Sequence, residues 1–147
     1  MMKKLSVTGL SAILLGAVSA QASESCMDAG WVGLAEAIDE TTLTAALSGD
    51  MAGATAKITG QKKTETGLLL DMEHYFISDR NGLIKTADKA VLTAVPGKDE
   101  TYMLEIQYDV VETRGIFEGY KGRFNSYGLI KLGEGKVVLR FQGEICK

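Results

Sequence analysis

The sequence predicts an all-β fold, a single small antiparallel β-barrel of about seven or eight strands. Several segments alternate apolar and polar residues with period two, short turn sequences separate them at regular intervals, and 17 glycines occur against one proline. Short, evenly spaced strands are typical of a sandwich or a barrel, and closure removes the exposed edges that invite aggregation. The length of 147 residues allows one domain.

Residues 1–22 have the features of a secretory signal peptide. Lys3 and Lys4 precede an apolar run over residues 5–18, and Ala20-Gln21-Ala22 supplies a small-x-small cleavage site. The run is shorter than the roughly 20 apolar residues that span a bilayer. Cleavage two residues earlier and a buried N-terminal helix are the open alternatives. We predict cleavage near Ala22, a barrel domain over residues 23–147 without a stable membrane span, and a secreted or periplasmic location.

The two cysteines, Cys26 and Cys146, lie near the two ends of the predicted mature chain. In an oxidising compartment such a pair favours a disulfide, and two cysteines allow one connectivity. The alternative is a metal or redox pair. Because there is no CxxC spacing and His74 is the only histidine, we expect no metal site.

The elements follow in chain order. Between Cys26 and Thr41, apolar residues at helical spacing predict a short helix with Asp28 as its N-cap: Trp31, Leu34, Ala35 and Ile38. Residues 41–48 and 52–59 can then pair as a hairpin across Gly49-Asp50. Further strands are predicted over residues 67–77, 83–95, 101–113, 127–132 and 137–145. Asn81-Gly82 is a strong hairpin signal between the first two of these.

A glycine–aromatic segment precedes the last two strands and contains Gly115, Phe117, Gly119 and Gly122. With the hairpin that follows it, this segment resembles the allene oxide cyclase-like barrel family, to which the dirigent proteins are related. The resemblance covers residues 41–146. It implies a small antiparallel barrel around an apolar cavity, and a structural role for the four motif residues. A lipocalin-like barrel is the alternative, with Gly30-Trp31 in place of the Gly-x-Trp of that family.

The candidate ligand-binding residues lie on the apolar faces of the predicted strands: His74, Met72, Phe76, Tyr102, Tyr108 and Phe141. His74 is the most informative of them. A histidine on an apolar face is either a hydrogen-bonded core residue or a polar anchor in an apolar pocket, and its near-neutral titration also suits acid–base chemistry. No residue pattern identifies a catalytic group, and we expect no cofactor.

Charge excludes one class of partner. Removing residues 1–22, with their two lysines and no acidic residue, leaves 125 residues with 14 basic and 19 acidic groups, a net charge of −5. That balance argues against nucleic-acid binding. We predict a protein that binds a small apolar or aromatic ligand inside the barrel. A cofactor-independent isomerase or cyclase is one alternative, and a structural or protein-interaction role, with a homo-oligomer possible, is the other.

Overall fold

The computed structural model describes residues 24–147, and this part of the chain is all β. The predicted signal peptide, residues 1–22, lies outside the described residues. The strands are β1 (Cys26–Asp28), β2 (Val32–Ala37), β3 (Thr42–Leu47), β4 (Gly53–Lys63), β5 (Gly67–Ser78), β6 (Gly82–Ala94), β7 (Thr101–Gly115), β8 (Lys121–Lys131) and β9 (Lys136–Cys146). Within residues 24–147 no helix is long and apolar enough to cross a membrane.

The strands form a closed antiparallel barrel. Each strand from β2 to β9 pairs with its neighbour in sequence, and β9 also pairs with β2, which closes the ring. Both β1 and β2 pair with β9: β1 with residues 144–146 and β2 with residues 136–140. Because β1 and β2 share one position in the ring, the nine strands make an eight-stranded barrel, which confirms the predicted fold class.

The prediction of a short N-terminal helix is wrong. Its residues form β1 and β2, and Asp28 ends β1 instead of capping a helix. Trp31 and Ala35 fit both the helical spacing and a period-two pattern in which they point inward. A segment this short gains little from helix formation in isolation. Two strand partners, β3 and β9, supply its backbone hydrogen bonds instead.

The other predicted strands are found close to their predicted bounds, and the hairpins at Gly49-Asp50 and at Asn81-Gly82 are confirmed. Strand β8 is the main difference, because it begins at Lys121 and not at Tyr127. The extra residues carry Phe124 and Ser126 into the barrel interior. Two glycines interrupt the alternation of apolar and polar residues along β8 in the sequence. Gly122 lies at φ 123°, and a side chain at Gly128 would meet the carbonyl oxygen of Val138.

The two ends of the barrel differ. At one end, which we call the closed end, Met51, Phe117 and Ile145 are buried beneath the turns after β3, β5 and β7. At the other, the open end, the turns after β2, β4, β6 and β8 surround a mouth. Residues at the closed end of a strand therefore lie in a different environment from residues at its open end, and this difference determines where a ligand can fit.

The predicted disulfide is present at the closed end. Cys26 and Cys146 are register partners of β1 and β9, with their Cα atoms 4.1 Å apart and a separation of 120 positions in the sequence. A cross-link around a loop of this length stabilises a fold by about 4–5 kcal/mol in the chain-entropy description. Such a bond indicates an oxidising compartment.

Candidate functional site

The open half of the barrel contains an apolar cavity of about 270 Å³. On β2, β3 and β4 three of its lining residues are alanines that pair across the strands, with Ala35 opposite Ala45 and Ala45 opposite Ala54, beside the larger Leu43 and Ile58. The far wall carries larger aliphatic side chains: Leu70, Leu92, Leu104, Ile106, Ile130 and Leu139. These three alanines, which we call the alanine row, leave unfilled the space that larger side chains would occupy. The cavity therefore follows in part from the small size of the residues at these three positions.

Aromatic rings fill the closed half of the barrel. Trp31, Phe76, Tyr108, Phe124 and Phe141 pack with ring centroids between 4.8 and 6.3 Å apart. Edge-to-face and offset contacts at these distances add to the stabilisation that burial provides. Phe76 and Phe141 also line the cavity. They therefore form the floor on which a ligand in the open half would rest.

His74 lies beside this floor and is held by a carboxylate. Its Nδ1 is 2.7 Å from Oδ2 of Asp88, and both side chains are buried. The imidazole stacks on Phe76, with centroids 5.4 Å apart and planes 14° apart. Among the described residues Nε2 has no hydrogen-bond partner, and His74 lines the cavity. The carboxylate–imidazole pair thus leaves one ring nitrogen without a partner in a residue that lines an apolar space.

Two further polar atoms near this pair are buried without a partner in the described part of the chain, Oδ1 of Asp88 and Oγ1 of Thr86. Thr86 is the register partner of His74, so both atoms lie on β6 next to the imidazole. Residues 24–147 bury no lysine or arginine. Among residues 24–147, His74 is therefore the only buried side chain that can carry a positive charge beside the Asp88 carboxyl group.

Tyr108 belongs to the closed half. Its hydroxyl and the hydroxyl of Ser126 are 2.8 Å apart, and the ring is fully buried. Burial raises the pKa of the Tyr108 phenol well above its ordinary value; the Ser126 hydrogen bond opposes this and the charge of Asp88 adds to it. The phenol therefore stays neutral and structural, and it does not line the cavity.

The mouth carries acidic residues. Asp39 and Glu40 line its rim in the turn between β2 and β3. The Asp39 carboxylate accepts hydrogen bonds from the backbone N–H groups of Thr41 and Thr42, each 2.8 Å long. These bonds, chiefly the one from Thr41, lower the pKa of Asp39. This side of the rim is thus negatively charged at neutral pH, which disfavours the approach of anions there.

Four of the six predicted ligand-binding residues line the cavity: His74, Met72, Phe76 and Phe141. Tyr108 does not, and neither does Tyr102, which is half-buried and packs against the core. Sequence analysis missed Asp88 and the alanine row. Asp88 was detectable, because it continues the inward period-two series of β6 through Ile84, Thr86 and Ala90.

The glycine–aromatic segment lies at the closed end, away from the cavity. Phe117 is buried there, and its ring contacts the position where a side chain on Gly82 would be. Gly115 has φ 64°, and a Cβ there would lie 1.8 Å from the carbonyl oxygen of Asn81. Both glycines are thus required by close approach, which fits the structural role expected for this motif.

An exposed apolar band crosses the outside of the barrel on β2, β9, β8 and β7. Leu34, Val138, Leu129 and Met103 form one row of register neighbours, in which Leu129 is half-buried, and Val32 and Tyr127 lie on either side of Arg140 in the next row. Tyr127 has Arg140 on one side and Glu105 on the other. Among the described residues neither charge forms an ion pair. Contiguous exposed apolar surface of this kind is typical of interaction sites.

Comparisons of the chain with protein-family models, with curated proteins and with solved structures find no match.

Proposed function

We propose that this protein binds a small apolar ligand in the open half of its barrel. The observation that carries the proposal is the apolar cavity of about 270 Å³ with the free Nε2 of His74 in its wall. Ligand pockets are concave and mostly apolar, with a few placed polar groups that orient the ligand. The arrangement of an alanine-walled space above an aromatic floor has this form.

The volume limits the ligand to a small molecule. Pockets for drug-sized ligands begin at about 300 Å³, whereas an engineered apolar cavity of about 150 Å³ binds benzene. At about 270 Å³, this cavity suits a single substituted ring or a short branched chain. The filled closed half prevents a longer ligand from passing through the barrel.

The test uses toluene as a probe and two leucine substitutions on β3. Ala45 points into the cavity, while its neighbour Ala46 is exposed on the outer face. We expect toluene to shift the NMR signal of the Met72 methyl group, which lines the cavity, in the wild type and in Ala46→Leu. In Ala45→Leu the added side chain fills the space and the shift is lost. Absence of any shift in the wild type contradicts the proposal.

Catalysis by His74 is a second candidate, and the Asp88–His74 pair favours it. A carboxylate on Nδ1 fixes the ring so that Nε2 can exchange a proton with a bound molecule. In a double-bond isomerisation, the imidazole would act in the form in which Nδ1–H donates to the Asp88 carboxylate and Nε2 carries no hydrogen. Nε2 would then remove a proton from a carbon beside the double bond and return it to the far carbon, with no cofactor consumed. A cyclase or isomerase of the allene oxide cyclase type rests on the family resemblance, which is an analogy of fold.

The catalytic candidate is tested with a β,γ-unsaturated ketone, whose conversion to the conjugated isomer is followed by ultraviolet absorbance. We expect His74→Phe/Asp88→Leu, which removes the pair without leaving a buried charge, to abolish turnover without unfolding the protein. Tyr108→Phe, which changes a buried hydroxyl away from the cavity, should keep the wild-type rate. Wild-type protein that binds the ketone but never converts it contradicts catalysis and leaves the binding proposal intact.

A homo-oligomer is the remaining candidate, supported by the exposed band. A two-fold axis in the contact plane and parallel to β8 places Arg140 of one copy against Glu105 of the other, with Tyr127 on the axis. Sedimentation velocity across a concentration series tests this. We expect Arg140→Glu to weaken self-association, and the exchanged pair Arg140→Glu with Glu105→Arg to restore it. A wild type that stays monomeric at all concentrations contradicts it.

The oxidising compartment indicated by the disulfide supports the proposal of a secreted or periplasmic protein with cleavage near Ala22. Mass measurement of the protein purified from its own host tests both parts. We expect the mass of residues 23–147 less two hydrogens for the Cys26–Cys146 bond. A mass that includes residues 1–22 contradicts cleavage.

A further inference from the structure

The electrostatics of the Asp88–His74 pair restrict the chemical class of the ligand. Asp88 is buried in a barrel that, over the described residues, buries no lysine or arginine. An uncompensated charge in such a place is costly, whereas a hydrogen-bonded pair without net charge is tolerated. The pair can be uncharged overall in two ways: imidazolium with carboxylate, or neutral imidazole with a protonated carboxyl group.

Both of these arrangements leave a hydrogen on Nε2. In the imidazolium both ring nitrogens are donors, and in the second case Nδ1 accepts from the carboxyl group, so the ring hydrogen lies on Nε2. Since Nδ1 is occupied by Asp88 at 2.7 Å in either case, Nε2–H is the donor that remains for a molecule in the cavity. The bound molecule must therefore offer an acceptor at this point.

The surroundings of His74 decide which acceptor fits. Its cavity neighbours are apolar: Ala56 is its register partner on β4, and Met72 and Phe76 flank it on β5. The unpartnered oxygens of Thr86 and Asp88 belong to residues that do not line the cavity. A hydroxyl ligand that accepted from Nε2–H would therefore leave its own hydrogen unpaired, which costs free energy in a buried site. An anionic ligand would add a net charge and would have to pass the acidic rim at Asp39 and Glu40. An uncharged carbonyl compound has neither disadvantage.

We infer that the ligand is a small, uncharged, apolar carbonyl compound whose oxygen accepts a hydrogen bond from Nε2 of His74. This inference rests on the proposed ligand-binding function and adds the chemical class. It requires that the Asp88–His74 pair discriminate between molecules of the same shape. A purely apolar cavity would bind such molecules alike.

The experiment compares acetophenone with α-methylstyrene, in which a CH₂ group replaces the carbonyl oxygen, and with 1-phenylethanol. Dissociation constants are measured by titration calorimetry for the wild type and for His74→Phe/Asp88→Leu, which removes the pair without leaving a buried charge. Tyr108→Phe is the matched control, because it removes a buried hydroxyl that does not line the cavity.

We expect the wild type and Tyr108→Phe to bind acetophenone at least about tenfold more tightly than the other two compounds, as a hydrogen bond from a charged or polarised donor provides. The double variant should bind acetophenone and α-methylstyrene with equal affinity. Equal affinities in the wild type, or a preference for 1-phenylethanol, would overturn the carbonyl assignment while the cavity remained a binding site. If none of the three bound to the wild type, the proposed function itself would fail, and the inference with it.

Discussion

The closed and open halves of the barrel are built from the same strands but have opposite interiors. Strand β8 contributes Phe124, fully buried among aromatic rings, to the closed half and Ile130, which lines the cavity, to the open half. Strands β2 to β4 contribute alanines to the open half. One half of the molecule therefore provides stability, whereas the other half is less completely packed and contains internal space.

The largest expected effect is the truncation of an aromatic ring in the closed half. Phe124→Ala should lower the free energy of unfolding by about 3–5 kcal/mol, because it removes a large ring and leaves a cavity that close packing cannot collapse. Ile130→Ala on the same strand should cost about 2 kcal/mol, the low end for such truncations, since its side chain already borders empty space. Urea unfolding measures both. Equal losses would mean that the two halves are packed alike.

Loss of the disulfide should be next in size. The double variant Cys26→Ser/Cys146→Ser, which opens the bond at the closed end, is expected to lose about 2–5 kcal/mol of unfolding free energy, because the unfolded chain regains the entropy of a long open loop. We expect the barrel of the native state to be unchanged, since β1 remains paired with β9. Denaturant unfolding with and without reductant checks the value. A wild type insensitive to reductant would contradict it.

Filling the two halves should have effects of opposite sign. Ala45→Leu points into the cavity and should stabilise the ligand-free protein by about 0.5–2 kcal/mol, as other cavity-filling changes do. Ala29→Leu lies in the closed half at 0% exposure and should destabilise by about 1–3 kcal/mol through overpacking. Thermal unfolding of both variants gives the comparison. If Ala45→Leu destabilised the protein as much as Ala29→Leu, the open half would have no space for a larger side chain.

The smallest effect at neutral pH concerns Tyr108. Because its pKa is raised in the folded state, the unfolded chain loses this proton first as the pH rises. The contribution of the neutral Tyr108 phenol to the free energy of unfolding is therefore complete below the ordinary tyrosine pKa of about 10 and declines above it. We expect one tyrosine in ultraviolet titration to stay neutral until unfolding, and Tyr108→Phe to flatten the alkaline decline in stability. Ionisation of all five tyrosines in the folded protein would contradict this.

Much of the barrel could be predicted from local sequence because a half-buried strand records its two environments in alternate residues. The faces of β5, β7 and β9 follow this pattern, and Asn81-Gly82 specifies the hairpin between β5 and β6. The pattern fails where a segment is short, as in β2. There the spacing of Trp31, Leu34 and Ala35 fits a helix equally well, and only pairing with β3 and β9 resolves it.

The candidate site was likewise predictable only in part from local sequence. His74 was identifiable because a polar residue in an apolar face is conspicuous, but its partner Asp88 lies 14 residues away and depends on the register of the β5–β6 hairpin. The cavity was harder to predict. Three separate alanines become a wall only when β2, β3 and β4 place them side by side, and no alanine by itself indicates empty space.

Local sequence patterns were enough to establish the all-β class, the hairpins and most inward and outward faces, and the sequence also showed a pair of cysteines at the two ends of the predicted domain. These depend on period-two alternation and turn chemistry, which act between near neighbours in the chain. Only the folded chain establishes the closure between β9 and β2, the division into a filled and an open half, and the carboxylate that holds His74. Each of these arises from contacts between strands distant in sequence, where packing volume and register, not local preference, set the outcome.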